Sequence, residues 1–132
     1  MTFLSASSRR VALLALGALL STSALAETWP ARPIRLVVPY SAGGSTDQLA
    51  RAIQKSMSDQ LGQPVVVENK AGAGGAIGTE TVARSAPDGY TLLFGNSAPS
   101  GVASLLRKLP YEVQKDFQPI STVAFVPLAL VA

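Results

Sequence analysis

At 132 residues the chain has the length of one small domain. It has no Cys and no His, which excludes disulfides, thiol nucleophiles, Cys/His zinc sites and a Ser-His-Asp triad. With 48% apolar residues, 14% charged residues and a formal charge of +3, its composition is neither disordered nor nucleic-acid-like.

The charge is concentrated at the start. Arg9 and Arg10 precede the apolar run VALLALGALL, and STSALA follows with Ala24 and Ala26 in an A-x-A pattern. A basic start, a short apolar stretch and a small-residue cleavage site describe a secretory signal peptide over residues 1–26, cleaved after Ala26. The alternatives are an uncleaved anchor or a buried helix; a run of ten is short for a bilayer span. SRRVALL also resembles a twin-arginine signal, without its usual Phe. Once Arg9 and Arg10 are removed, nine basic residues face eight acidic ones, a net charge of +1. No basic nucleic-acid footprint remains, and the mature chain is expected in the periplasm, exported and not membrane-embedded.

From Glu27 onward the pattern alternates between strand and helix. IRLVVPY, 34 to 40, is a continuous branched apolar run and predicts a buried strand. From Ser45, residues Leu49, Ala52, Ile53, Met57 and Leu61 recur at helical spacing, and Gly62 with Pro64 ends that helix. PVVVEN, 64 to 69, predicts a second strand. The glycine-rich KAGAGGAIG follows, with a helix opening near its end and Ile77, Val82 and Ala83 as its expected buried face. APDG makes a turn into a third strand, YTLLFGN, 90 to 96. SAPSGVASLLRKL predicts a loop and a short helix, YEVQKDFQPI is polar and turn-like, and STVAFVPLALVA predicts one or two strand segments broken at Pro127. The apolar VPLALVA runs to the last residue, which predicts that the chain is part of a longer protein.

Three strand–loop–helix units predict a parallel sheet with helices on its faces and right-handed crossovers. Ligands of such sheets bind beyond the carboxyl ends of the strands. Loops 40 to 47, 69 to 78 and 95 to 100 should gather there. In the first, Gly43 and Gly44 permit close approach of a ligand to the backbone, and free N–H groups at a helix start attract an anion. The competing reading is that Ser45, Thr46 or Asp47 only caps the helix. Asp47 opposes a highly charged anion unless its carboxylate turns into the helix start; it can also accept from a ligand. GAGGAIG has a GxGxxxG spacing at Gly72, Gly74 and Gly78, but ENKA separates it from its strand, unlike a dinucleotide loop. Lys70 is either a carboxylate partner or a solvated lysine. Asn96 and Ser97 are either cleft donors or turn formers. Trp29, Tyr90 and Phe94 read as core or edge packing.

WPARPIRLVVPYSAGGSTDQLAR, LGQPVVVENKAGAGGAIGTETVARSAPDGYTLL and KLPYEVQKDFQPIS, in this order, resemble the periplasmic solute-binding receptors of tripartite tricarboxylate transporters, the Bug receptors. The resemblance covers essentially all of residues 27–132. It implies an α/β fold of the type II periplasmic-binding-protein kind, with a mostly parallel sheet flanked by helices. It also implies a two-lobed receptor that closes on a small carboxylate: a tricarboxylate, dicarboxylate, amino acid or aromatic acid. Mapped by position, the ligand-binding residues are Tyr40, Ser41, Ala42, Gly43, Gly44, Ser45, Thr46 and Asp47; Ala71, Gly72, Ala73 and Gly74; and Asn96, Ser97 and Ala98. The resemblance implies no catalysis, no cofactor and no metal, with transporter membrane subunits as partners and no nucleic acid. Family members are much longer, so residues 27–132 are expected to form the N-terminal part of the first lobe, with the second lobe absent. The alternatives are a non-functional truncated remnant or a phosphate- or nucleotide-using enzyme. The latter would be expected to carry GxxxxGK[ST], which does not occur.

Overall fold

The computed structural model describes residues 28–97 and 108–125. The expected signal peptide and cleavage site, most of the segment after Ser97, and residues 126–132 lie outside them.

Three strands form one sheet: β1 (Ile34–Val38), β2 (Val65–Asn69) and β3 (Thr91–Leu93). The order is β2-β1-β3, and both pairings are parallel, as alternation with helices requires. β1 is central, with Ile34 opposite Val65 and Leu36 opposite both Val67 and Leu92. This explains its nearly unbroken apolar sequence: Ile34, Leu36, Val37 and Val38 are all buried. The third strand is shorter than its apolar run, although the Phe94 N–H still donates to Val37 O at 2.9 Å.

Helix α1 (Ser45–Leu61) connects β1 to β2 and packs on the face that carries Ile34, Leu36, Val38 and Val65. Its deepest residues are Asp47 and Ala50, while Met57 and Leu61 cover the rim of the core. Ala52, expected in the apolar stripe, is exposed, because the face toward the sheet centres on Ala50. Gly62 ends the helix in the left-handed region at φ 67°, its N–H donating to Ser58 O at 3.0 Å. The entry to β2 is tied to this last turn. Ser58 Oγ accepts the Val65 N–H at 2.9 Å, and Gln54 Nε2 donates to Val65 O at 2.7 Å.

A single 3-10 turn, Ala73–Gly75, leads into α2 (Ala76–Ala83), which lies against β1 and β3. Its buried residues are Ala76, Gly78 and Thr79, not the expected Ile77, Val82 and Ala83. The reason is a close approach of backbones. A Cβ on Gly78 would lie 2.6 Å from Lys70 O and 2.8 Å from Pro39 Cα, so only glycine fits. Helix contact through a glycine turns Ile77 outward, where it is 52% exposed. The segment read as turn-like contains α3 (Val113–Asp116), with Tyr111 buried and edge-on to Phe117. Residues 121–125, expected to begin a strand, form no regular structure, because no neighbouring strand among the described residues pairs with them.

Candidate functional site

Because both pairings are parallel, the ends of β1, β2 and β3 at Val38, Asn69 and Leu93 share one edge of the sheet. The three loops expected to gather there begin at that edge, and hydrogen bonds join them. Tyr40 Oη donates to Asn96 Oδ1 at 2.6 Å, linking the first loop to the third. Asn69 Nδ2 donates to Tyr40 O at 3.1 Å, linking the end of β2 to the first loop.

The first loop presents the start of α1. Gly44 is the N-cap and offers no side chain to the open turn. Neither Ser45 nor Thr46 caps the helix, and the N–H groups of Ser45, Thr46 and Asp47 meet no acceptor among the described residues. These donors, at the positive end of a 17-residue helix, favour an anion. Ser41, Ala42, Gly43, Gly44 and Ser45 are exposed, Tyr40 and Thr46 half-buried.

Asp47 is different. Its residue is 2% exposed and its carboxylate is fully engaged. Oδ2 accepts the Gly43 N–H at 2.8 Å, Oδ1 accepts Asn69 Nδ2 at 2.9 Å, and Arg51 Nε bridges both oxygens at 3.0 and 3.1 Å. The side chain reaches back over the first turn, much as the acidic member of a capping box does. Arg51, the Gly43 N–H and Asn69 together hold the carboxyl down at about 2. Asp47 is therefore an internal brace in this conformation, and its negative charge is neutralised by Arg51 before it can repel an anion.

In the second loop, Ala71, Ala73 and Gly74 are exposed and Gly72 is half-buried. Gly72 has φ 138° and Gly74 φ 65°, backbone shapes that favour glycine. In the third, Asn96 and Ser97 are exposed, and Ala98 lies outside the described residues. Lys70 lies close enough to Glu68 to add to the lowering of that carboxyl, which the bidentate Arg35 contact dominates. Trp29 and Tyr90 pack against one another at 6.0 Å, away from these loops at the start of β3. Asn69 and Arg51 bond to the first loop and to Asp47, contacts that motif reading misses. Asn69 reads only as the end of a strand, and nothing in its local pattern shows that its side chain reaches Tyr40 and Asp47.

The fold and edge define a class, and comparison with known proteins agrees. The profile of the tripartite tricarboxylate transporter family receptor matches residues 49–132. Protein BugT of Bordetella pertussis is 56% identical over 108 residues, which is 80% of this chain and 33% of that protein. A UPF0065 protein of Bordetella bronchiseptica is 47% identical over 109 residues, 82% of this chain and 32% of that protein. Among solved structures, a periplasmic transporter is similar with TM-score 0.67 and 50% identity, over 70% of this chain and 32% of that one. MatC from Rhodopseudomonas palustris, solved with bound malate, is similar with TM-score 0.68 and 44% identity, over 72% of this chain and 33% of its own. The chain belongs to the tripartite tricarboxylate transporter receptor family, and its fold is that of part of a periplasmic solute-binding protein. It spans about a third of the length of the curated relatives it matches.

Proposed function

We propose that this chain supplies one wall of an exported receptor that captures a small carboxylate for a tripartite tricarboxylate transporter, without catalysis. The observation that carries the reading is the open first turn of α1, whose N–H groups have no acceptor among the described residues, at the sheet edge where three loops begin. A carboxylate matches a cluster of uncharged amide donors, since it needs two or three hydrogen bonds and one compensating dipole. The absence of a lysine inside a glycine-rich phosphate loop favours this ligand over a nucleotide. Family membership and the malate-bound MatC neighbour support the same class.

In this reading residues 27–132 belong to the first lobe, Tyr40 to Thr46 and the Asp47 N–H contact the carboxylate, and the loops at 71–74 and 96–98 flank it. The opposite wall comes from the part of its relatives' length that this chain does not span. The chain works in the periplasm after removal of residues 1–26, with transporter membrane subunits as partners. Isothermal titration of the protein against L-malate, citrate, glutamate, nicotinate and phosphate tests it. Saturable binding of one of the acids, weakened by Gly44→Val, is the expected result. A folded protein that binds none of the acids, or binds only phosphate, overturns it.

A further inference from the structure

We infer that Asn69 is a positioning residue that latches the first loop through Asp47, so that the open amides of α1 are held in place before any ligand arrives. Three bonds converge on its amide. Nδ2 donates to Tyr40 O at 3.1 Å and to Asp47 Oδ1 at 2.9 Å, while Oδ1 accepts Arg51 Nη2 at 3.1 Å. Asp47 in turn holds the Gly43 N–H at 2.8 Å, and Tyr40 holds Asn96 at 2.6 Å. The end of β2 thus grips both ends of the segment from Tyr40 to Asp47, one by its carbonyl and the other by its carboxylate. Without the latch, two consecutive glycines, Gly43 and Gly44, would leave that segment free to sample many backbone shapes, and ordering it would weaken binding. Asparagine is suited to the position because it donates to two oxygens while accepting from a cation. Aspartate would keep the acceptor for Arg51 but would set a second carboxylate against Asp47. The charged groups bonded to Asn69 are Asp47 and Arg51, both on α1, with Glu68 and Lys70 on either side of it in the chain.

The effect on ligand capture rests on the carboxylate reading above; the latch itself does not. Amide exchange followed residue by residue at pH 7 by NMR separates the two. Asn69→Asp should raise exchange at Gly43 by about tenfold while the amides of β1 and β2 keep their protection. The swapped pair, Asp47→Asn with Asn69→Asp, restores a donor facing an acceptor between these two positions but leaves a carboxylate against Tyr40 O, so it should recover only part of the Gly43 protection. Unchanged exchange at Gly43 overturns the inference. So does a uniform rise across β1, β2 and α1, because that marks general stability without a latch. The same samples titrated with L-malate should show affinity about tenfold weaker in Asn69→Asp. If the parent protein does not bind malate, the exchange data still decide the latch, and only malate as ligand is refuted.

Discussion

Asp47 stands three residues past a glycine N-cap, where a carboxylate can fold back on its own turn, and its environment makes a specific acid response. Its folded value of about 2 lies below the ordinary 3.8. A depressed carboxyl adds stability above the unfolded value and loses it as pH falls through the folded one. The Asp47 contribution should therefore be complete above about pH 4 and disappear between about pH 4 and 2. Thermal midpoints recorded by circular dichroism across this range should show a shallower acid limb in Asp47→Asn than in the parent. Equal slopes would mean that the carboxylate is not engaged in solution. Gly78 permits a second prediction at this scale. A methyl group there meets backbone atoms at 2.6 and 2.8 Å, which cannot rotate away as a side chain would. Gly78→Ala should cost about 1–3 kcal/mol, by analogy with overpacked cores. Urea denaturation would measure it, and a change within about 0.5 kcal/mol would show that α2 is free to move off Pro39.

At the scale of elements, the joint between α1 and β2 depends on side chains as much as on backbone. Ser58 Oγ accepts the N–H of Val65, a residue only 2% exposed, and donates to Gln54 O in its own helix. Ser58→Ala leaves that N–H without its acceptor in a dry place, so about 1–3 kcal/mol should be lost. Ser58→Thr, which keeps the hydroxyl, should recover a large part, and the pair of denaturation curves checks both. The strands and α1 were legible in the sequence because branched apolar runs and a 3.6-residue stripe are local signals. The inner face of α2 was not. Hydrophobic periodicity assigns a helix's buried side to its larger apolar residues. Here the contact is through Gly78, and Ile77 points outward. The same limit hid Asn69, whose partners lie 18 to 29 residues away in sequence; Arg51 stands four residues after Asp47, and that i,i+4 acid–base spacing is the local signal that could have found it.

For the whole molecule, the sheet has β2 and β3 as unpaired edges among the described residues. Val66 on β2 is 44% exposed, and beyond the sheet Ile120 and Phe125 are 80% and 90% exposed. Open strand edges next to apolar surface favour pairing with other chains. Sedimentation velocity should therefore show association that grows with concentration, and Val66→Lys should reduce it. A strictly monomeric species at high concentration would show that these surfaces are covered in solution.

The sequence by itself determined the α/β class, the parallel pairing implied by alternating elements, the loops that would begin at one edge, and the family. Each depends on local patterning or on long matching blocks. Only the tertiary structure decided what Asp47 does. A carboxylate in a glycine-serine loop can face a ligand or turn inward. The choice depends on Arg51 one helical turn away and on Asn69 at the end of a different strand. Folding brings these charges and dipoles within hydrogen-bonding distance, and that proximity turned a candidate ligand contact into the brace beneath the amides.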